Sequence, residues 1–145
     1  MEKYNNDIKG MLIYLIKNFK FKVASISKLT GIEVDKLEKL INGKVELLEL
    51  SLPIEQLSTL TRIVSMLNDG ISSVDDDARV KSIIEHLIYN LEINLETIAI
   101  YSEVNIDDIK SFMNDTDSIS YEKKYKLATK SLFMHFLFKK SLNDK

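Results

Sequence analysis

Set against itself at an offset of 72, the chain shows a repeated apolar pattern that limits its fold more than any single motif. Positions 8, 11, 12, 15, 16, 19, 21, 23, 26, 29, 32, 34, 37, 40 and 41 are apolar, and so is every counterpart 72 residues on. Seven pairs are identical, among them Leu15/Leu87, Ile26/Ile98, Asp35/Asp107 and Asn42/Asn114. Beyond Asn42 the offset falls to 67, pairing Glu55 with Glu122 and Leu60 with Leu127, which leaves five extra residues in the first copy within KVELLELS. The pattern predicts two tandem units, 1–70 and 71–145, with the turn-rich Asn68-Asp69-Gly70-Ile71-Ser72-Ser73 as the hinge.

The spacing inside each unit is helical. Ile8, Met11, Leu12, Leu15, Ile16 and Phe19 recur three and four apart, as one face of a helix requires. A second helix is expected over Val23 to Thr30, ended by Gly31, and a third over Val34 to Ile41, ended by Asn42-Gly43. A fourth begins near Pro53, with Leu57, Leu60, Ile63, Val64 and Leu67 as its stripe. In the second unit the helices should fall near 76–91, 95–102, 106–114 and 119–141. Ser72 or Ser73 is expected to cap the first of these, with Asp75, Asp76 and Asp77 at the positive end of its dipole. With one Pro, four Gly and no Trp, the chain lacks the turn punctuation of a β protein, so the fold class is all-α, two four-helix units in tandem.

Several functions are set aside by composition. There is no Cys, hence no disulfide framework and no thiol nucleophile, which fits a cytoplasmic protein. No apolar run reaches the ~18 residues of a membrane span, and the N-terminal apolar stretch reads as an amphipathic helix, not a signal peptide. His86 and His135 have no second ligand at metal spacing, so neither metal nor cofactor is expected. Phosphate loops and nucleophile elbows are missing, and nothing brings Asp107, Asp108 and Glu122 into one pocket; an enzyme is not expected.

Charge is segregated along the chain. Lys3 to Lys28 carries net +5, Asp75 to Glu122 net −9, and Lys123 to Lys145 net +6, within an overall −2. Such blocks speak to partners, not to fold. The C-terminal lysines are expected to neutralise the acidic middle of their own unit. The apolar cluster of SLFMHFLFKK runs round the whole last helix, so Phe133, Phe136, Leu137 and Phe138 are candidates for a dimer or partner contact.

The run VASISKLTGIEVDKLEKLINGK…LPIEQLSTLTRIVSMLN resembles the lambda-repressor/Cro-like helix-turn-helix family. The small Ser27 stands four before Gly31, Ile32 follows, Asn42-Gly43 closes the second helix, and Pro53 precedes another. The resemblance covers residues 22–67 and implies a bacterial or phage DNA-binding regulator acting as a homodimer on two-fold sites. It implies base-facing positions at Glu33, Asp35, Lys36, Lys39 and Lys44, and phosphate-facing positions at Lys20, Lys22, Ser25 and Lys28. The chain departs from the pattern in charge. Three acids on the second helix offset three lysines, and Arg, Gln and Thr, the usual base readers, are missing there. In the second copy Ala99 keeps the small position, but Glu103 replaces the glycine, where a left-handed turn would strain it. The helix that follows carries Asp107, Asp108, Asp115 and Asp117 against Lys110, a charge DNA repels. That copy is expected to have lost DNA reading and to serve dimerisation or a protein partner, with Asp107 and Asp108 as contacts. The alternative for the whole chain is an interaction module, such as an anti-repressor, an inhibitor or a nucleic-acid mimic.

Overall fold

The computed structural model describes residues 7–143, and all regular structure among them is helical. Residues 1–6 and 144–145, which include Lys3 and Lys145 of the basic blocks, lie outside the described residues. The chain divides into two compact units, one ending at Ser73 and the next beginning at Val74.

In the first unit α1 spans Ile8–Asn18, α2 Val23–Thr30, α3 Val34–Ile41 and α4 Ile54–Ser65. Asp7 starts α1 by accepting from the Gly10 N–H, which satisfies one of the amides a helix start leaves unpaired. Gly31 ends α2 at φ 77. Gly43 stands at φ 71, its N–H bonded to Leu40 O while Lys44 N–H reaches Lys39 O, the paired closure that satisfies the last carbonyls of a helix. Leu12 and Leu15 of α1, Ile26 of α2, Leu37 and Leu40 of α3, and Leu60 and Val64 of α4 are fully buried together, with Ile32 from the turn. The residues KVELLELS hold a 3-10 turn, Leu47–Leu50, which tucks Leu50 into this core and which the sequence pattern did not foretell.

In the second unit α5 spans Asp76–Glu85, α6 Leu95–Ser102, α7 Ile106–Asn114 and α8 Tyr121–Asn143. Its core gathers Ile84, Leu87, Ile98, Val104, Ile109, Phe112, Leu127 and Met134. Lys123 N–H donates to Ser120 Oγ at the start of α8, two residues later than expected, and Ile119 is buried just before it.

Two expectations need correction. The hinge is partly helical: a π-type segment, Met66–Gly70, continues α4. Asn68 lies buried inside the first unit, where its side-chain amide donates to Met11 O and Val64 O and ties α1 to α4. A turn-forming residue type was thus taken up by a tertiary hydrogen bond. Neither Ser72 nor Ser73 caps α5, since their hydroxyls donate back to Asp69 O and Gly70 O. Asp75 is the N-cap instead, accepting from Ala78 N–H, and Asp76 and Asp77 fill the first turn. A π-type segment also ends α5, His86–Asn90, inside the stretch expected as plain helix.

Candidate nucleic-acid interface

The α2–turn–α3 pair is built around small polar groups. Ser27 is short enough to sit where the two helices meet, and its hydroxyl donates to Ile32 O across the turn at 2.6 Å. Thr30 Oγ1 donates to Ile26 O and accepts from Ile32 N–H, so the buried hydroxyl is satisfied on both sides. Gly31 supplies the left-handed residue an L side chain rarely adopts. Gln56 of α4 then donates to Gly31 O at 2.8 Å, clamping the turn from outside the pair. Sequence reading missed Gln56, because its partner is 25 residues away and no local pattern marks it.

Leu37 and Leu40 hold α3 to the core, which leaves its opposite face outward. Asp35 and Lys39 lie on that outward face and are exposed; so is Glu38 between them. Lys36 is half-buried on the flank. Glu33 is exposed at the N-cap position and makes no capping bond, and Lys44 is exposed just past Gly43. The outward face of α3 is therefore charged in both signs. Lys9 joins this neighbourhood from α1: a Cβ placed on Gly43 would stand 3.4 Å from its Nζ. Only the packing of α1 on α3 brings Lys9 there.

Lys20, Lys22 and Ser25 come together at the start of α2, where with Phe19 and Phe21 they line a shallow cleft of about 350 Å³. Lys22 is the N-cap and makes no side-chain capping bond, and the first turn of α2 holds no acidic residue to complement its positive end. The Lys20 ammonium donates to Lys17 O at 2.7 Å, closing the end of α1. Lys28 is exposed in the last turn of α2, apart from the cleft.

The second unit has a similar order of helices and a different chemistry. Glu103 takes the left-handed position after α6 at φ 57, so the strained geometry forms without glycine. Ser102 Oγ donates to Ile98 O, as Thr30 does to Ile26. On α7, Asp107 is exposed in the first turn, and Asp108 is held by Lys123 at 2.7 Å. Lys124 reaches Asp77 at 2.7 Å and Asp117 at 3.7 Å. The Asp77 hydrogen bond leads in holding the Lys124 ammonium above its usual pKa. Lys126 pairs with Glu122 of its own helix. Some C-terminal lysines thus neutralise acids of their own unit, as the charge pattern implied, while Lys130 has no ion-pair partner among the described residues.

On α8, Phe133 and Phe136 are 63% and 67% exposed and Leu137 is 46% exposed, while Phe138 packs against the second core. Leu132, also on the outward side, is 47% exposed. His86 and His135 meet edge to face with ring centroids 5.2 Å apart. Burial, then the neighbouring His86 and Lys139, hold the His135 pKa below its ordinary value. Among the described residues no group of three or more His, Cys, Asp or Glu could hold a metal, and no helix is long and apolar enough to cross a membrane.

Comparison with known proteins agrees with this architecture. The family model described as a helix-turn-helix domain matches residues 3–144. No curated protein and no solved structure matches the chain. With nearly its whole length inside that model, the chain belongs to the helix-turn-helix domain family.

Proposed function

We propose that this chain is a DNA-binding transcriptional regulator of bacterial or phage type, acting in the cytoplasm, and that its first unit is of the lambda-repressor/Cro-like kind. The observation that carries the reading is the α2–turn–α3 pair, pinned by Ser27, Gly31 and Gln56, with an uncapped α2 start flanked by Lys20 and Lys22. A helix start with free amides and adjacent cations suits a backbone phosphate. In that pose α3 enters the major groove, with Glu33, Asp35, Lys36, Lys39 and Lys44 toward the bases and Lys20, Lys22, Ser25 and Lys28 toward phosphates. Lys36 and Lys39 are the side chains on α3 suited to guanine O6 and N7. Asp35 accepts from a cytosine amine or is repelled, so the site is selective rather than tight.

The two units are read as tandem copies, 1–70 and 71–145, with the second turned from DNA to assembly. A homodimer through the flank of α8 that carries Phe136 and Leu132 would present two reading helices to a two-fold site. No catalytic role is assigned to either unit.

The test is a titration of purified protein against fragmented genomic DNA at ~50 and ~200 mM salt. Binding of a few fragments is expected, weakening about a thousand-fold or more across that range if roughly six to ten phosphates are contacted. A double variant, Lys22→Glu with Lys28→Glu, should weaken every fragment alike and flatten the salt slope. Unchanged affinity would remove the first unit from DNA.

A second reading has its own observation: exposed acids on and after α7, with Asp107, Asp115 and Asp117 turned to solvent. It makes the chain a non-enzymatic interaction module whose second unit binds a basic protein surface. Charge reversal at Asp107 and Asp108 would then abolish that binding and spare DNA binding.

A further inference from the structure

Between α6 and α8 of the second unit lies a cleft of about 300 Å³. Met134, 7% exposed, is among the residues that line it, and Ile93, Phe133 and Leu137 form apolar walls. Polar groups are few: the hydroxyls of Thr97 and Tyr101, and Lys130. Phe133, Leu137 and Lys130 are three and four residues apart on α8, so they share one flank of the helix, while Leu132 and Phe136 fall on another. An apolar cavity with a few convergent polar groups is the usual form of a small-molecule site.

We infer that this cleft binds a small carboxylic acid with an apolar tail, its carboxylate at Lys130 and its tail against Phe133, Met134 and Leu137. Two observations select this occupant. Lys123, Lys124 and Lys126 of the same helix are all paired with acids, whereas Lys130, Lys139 and Lys140 have no ion pair among the described residues, and of these three Lys130 lines this cleft. The cleft therefore carries one uncompensated cation beside an apolar trough, the complement of an amphiphilic anion. A cleft of about 300 Å³ is at the small end of ligand sites, so its occupant is small. The proposed homodimer contact is on the other flank, around Leu132 and Phe136, and leaves this trough open. The cleft is lined by second-unit residues alone, and the assignment does not depend on DNA binding.

The test uses isothermal calorimetry on the full chain with decanoate, below its micelle concentration, and with neutral decanol as comparison. One saturable site per chain is expected. Lys130→Gln should weaken decanoate by roughly three- to fivefold at low salt, the range of a solvent-exposed charge pair, and leave decanol unchanged. Thr97→Phe, which fills the trough, should abolish binding of both, with circular dichroism confirming a folded chain. Non-saturating uptake of decanoate overturns the assignment, and so does equal decanoate affinity in the wild type and Lys130→Gln. It is overturned as well if Thr97→Phe spares decanoate and instead breaks self-association in sedimentation, which would make the trough an interface between copies.

Discussion

Gly31 and Glu103 hold the same left-handed backbone, at φ 77 and φ 57, on opposite terms. Glycine has no Cβ and enters this region without penalty, while an L residue there costs about 1–2 kcal/mol. The second unit accepts that cost because the turn joins two helices whose apolar residues, Ile98, Ile109 and Phe112, are buried whatever stands between them. Lys20 and Glu92 make the same point, at φ 59 and φ 55, in the connection after the first helix of each unit. There Phe21 N–H bonds to Leu15 O and Ile93 N–H to Leu87 O, so the chain reversal is set by buried anchors rather than by a permissive residue. Packing fixes this turn, and the residue at its apex only sets its cost.

The largest test of that comparison strikes the anchors. Leu37→Ala and Ile109→Ala should each cost about 2–5 kcal/mol in urea unfolding, because both side chains are fully buried and leave cavities. A loss below about 1 kcal/mol in either would mean that the unit does not rest on its core. The next test exchanges the turn residues. Gly31→Ala should destabilise by about 1–2 kcal/mol, and Glu103→Gly should stabilise by about 0.5–1 kcal/mol once the added freedom of the unfolded chain is deducted. A destabilised Glu103→Gly would show that the glutamate makes its own contribution to the turn.

Ser27 sharpens the contrast further. Its hydroxyl bonds Ile32 O, whereas Ala99 at the matching place in the second unit has no hydroxyl to offer. Ser27→Ala should cost about 0.5–1.5 kcal/mol by calorimetric melting, the net worth of one hydrogen bond. The smallest effect is in pH. Asn68, in the π-type segment that continues α4, is paired with His135 of α8 by the sequence offset of 67, and only the histidine can titrate. Its folded pKa is lowered, so the unfolded chain takes up a proton first. Stability is full above about pH 6.5, the unfolded value, and declines as pH falls below it toward the folded pKa. His86 faces His135 from the end of α5 and Lys139 from its own helix, and both oppose the charge. Melting of His135→Asn should lose this part of the acid sensitivity; an unchanged pH profile would assign it to other groups.

Much of this molecule is legible in its residues alone. The apolar periodicity, Gly31 and Asn42-Gly43 place α2 and α3 at the residues observed, because short helices with strong local stops leave their ends little choice. The acidic turn of α5 was also readable, though the cap fell to Asp75, not a serine, since all three aspartates and both serines are competent and only the chain path selects one. Which lysines stay free could not be read. Lys123 and Lys124 find acids 15 and 47 residues away, and Lys130, on the same helix, finds none among the described residues. The cleft beside Lys130 was hidden for the same reason, since α8 reads as apolar all round and only α6 decides which flank is walled.

Helix periodicity and stop signals act over a few residues and need no partner. For that reason the order of residues was enough to specify an all-helical chain with a helix-turn-helix in its first half. Which polar groups are spent and which remain was settled by packing. Asn68 is taken into the first core, Gln56 locks the α2–α3 turn, and Lys130 is left over. Those outcomes depend on which residues distant in sequence come within about 3 Å, and no local pattern encodes that distance.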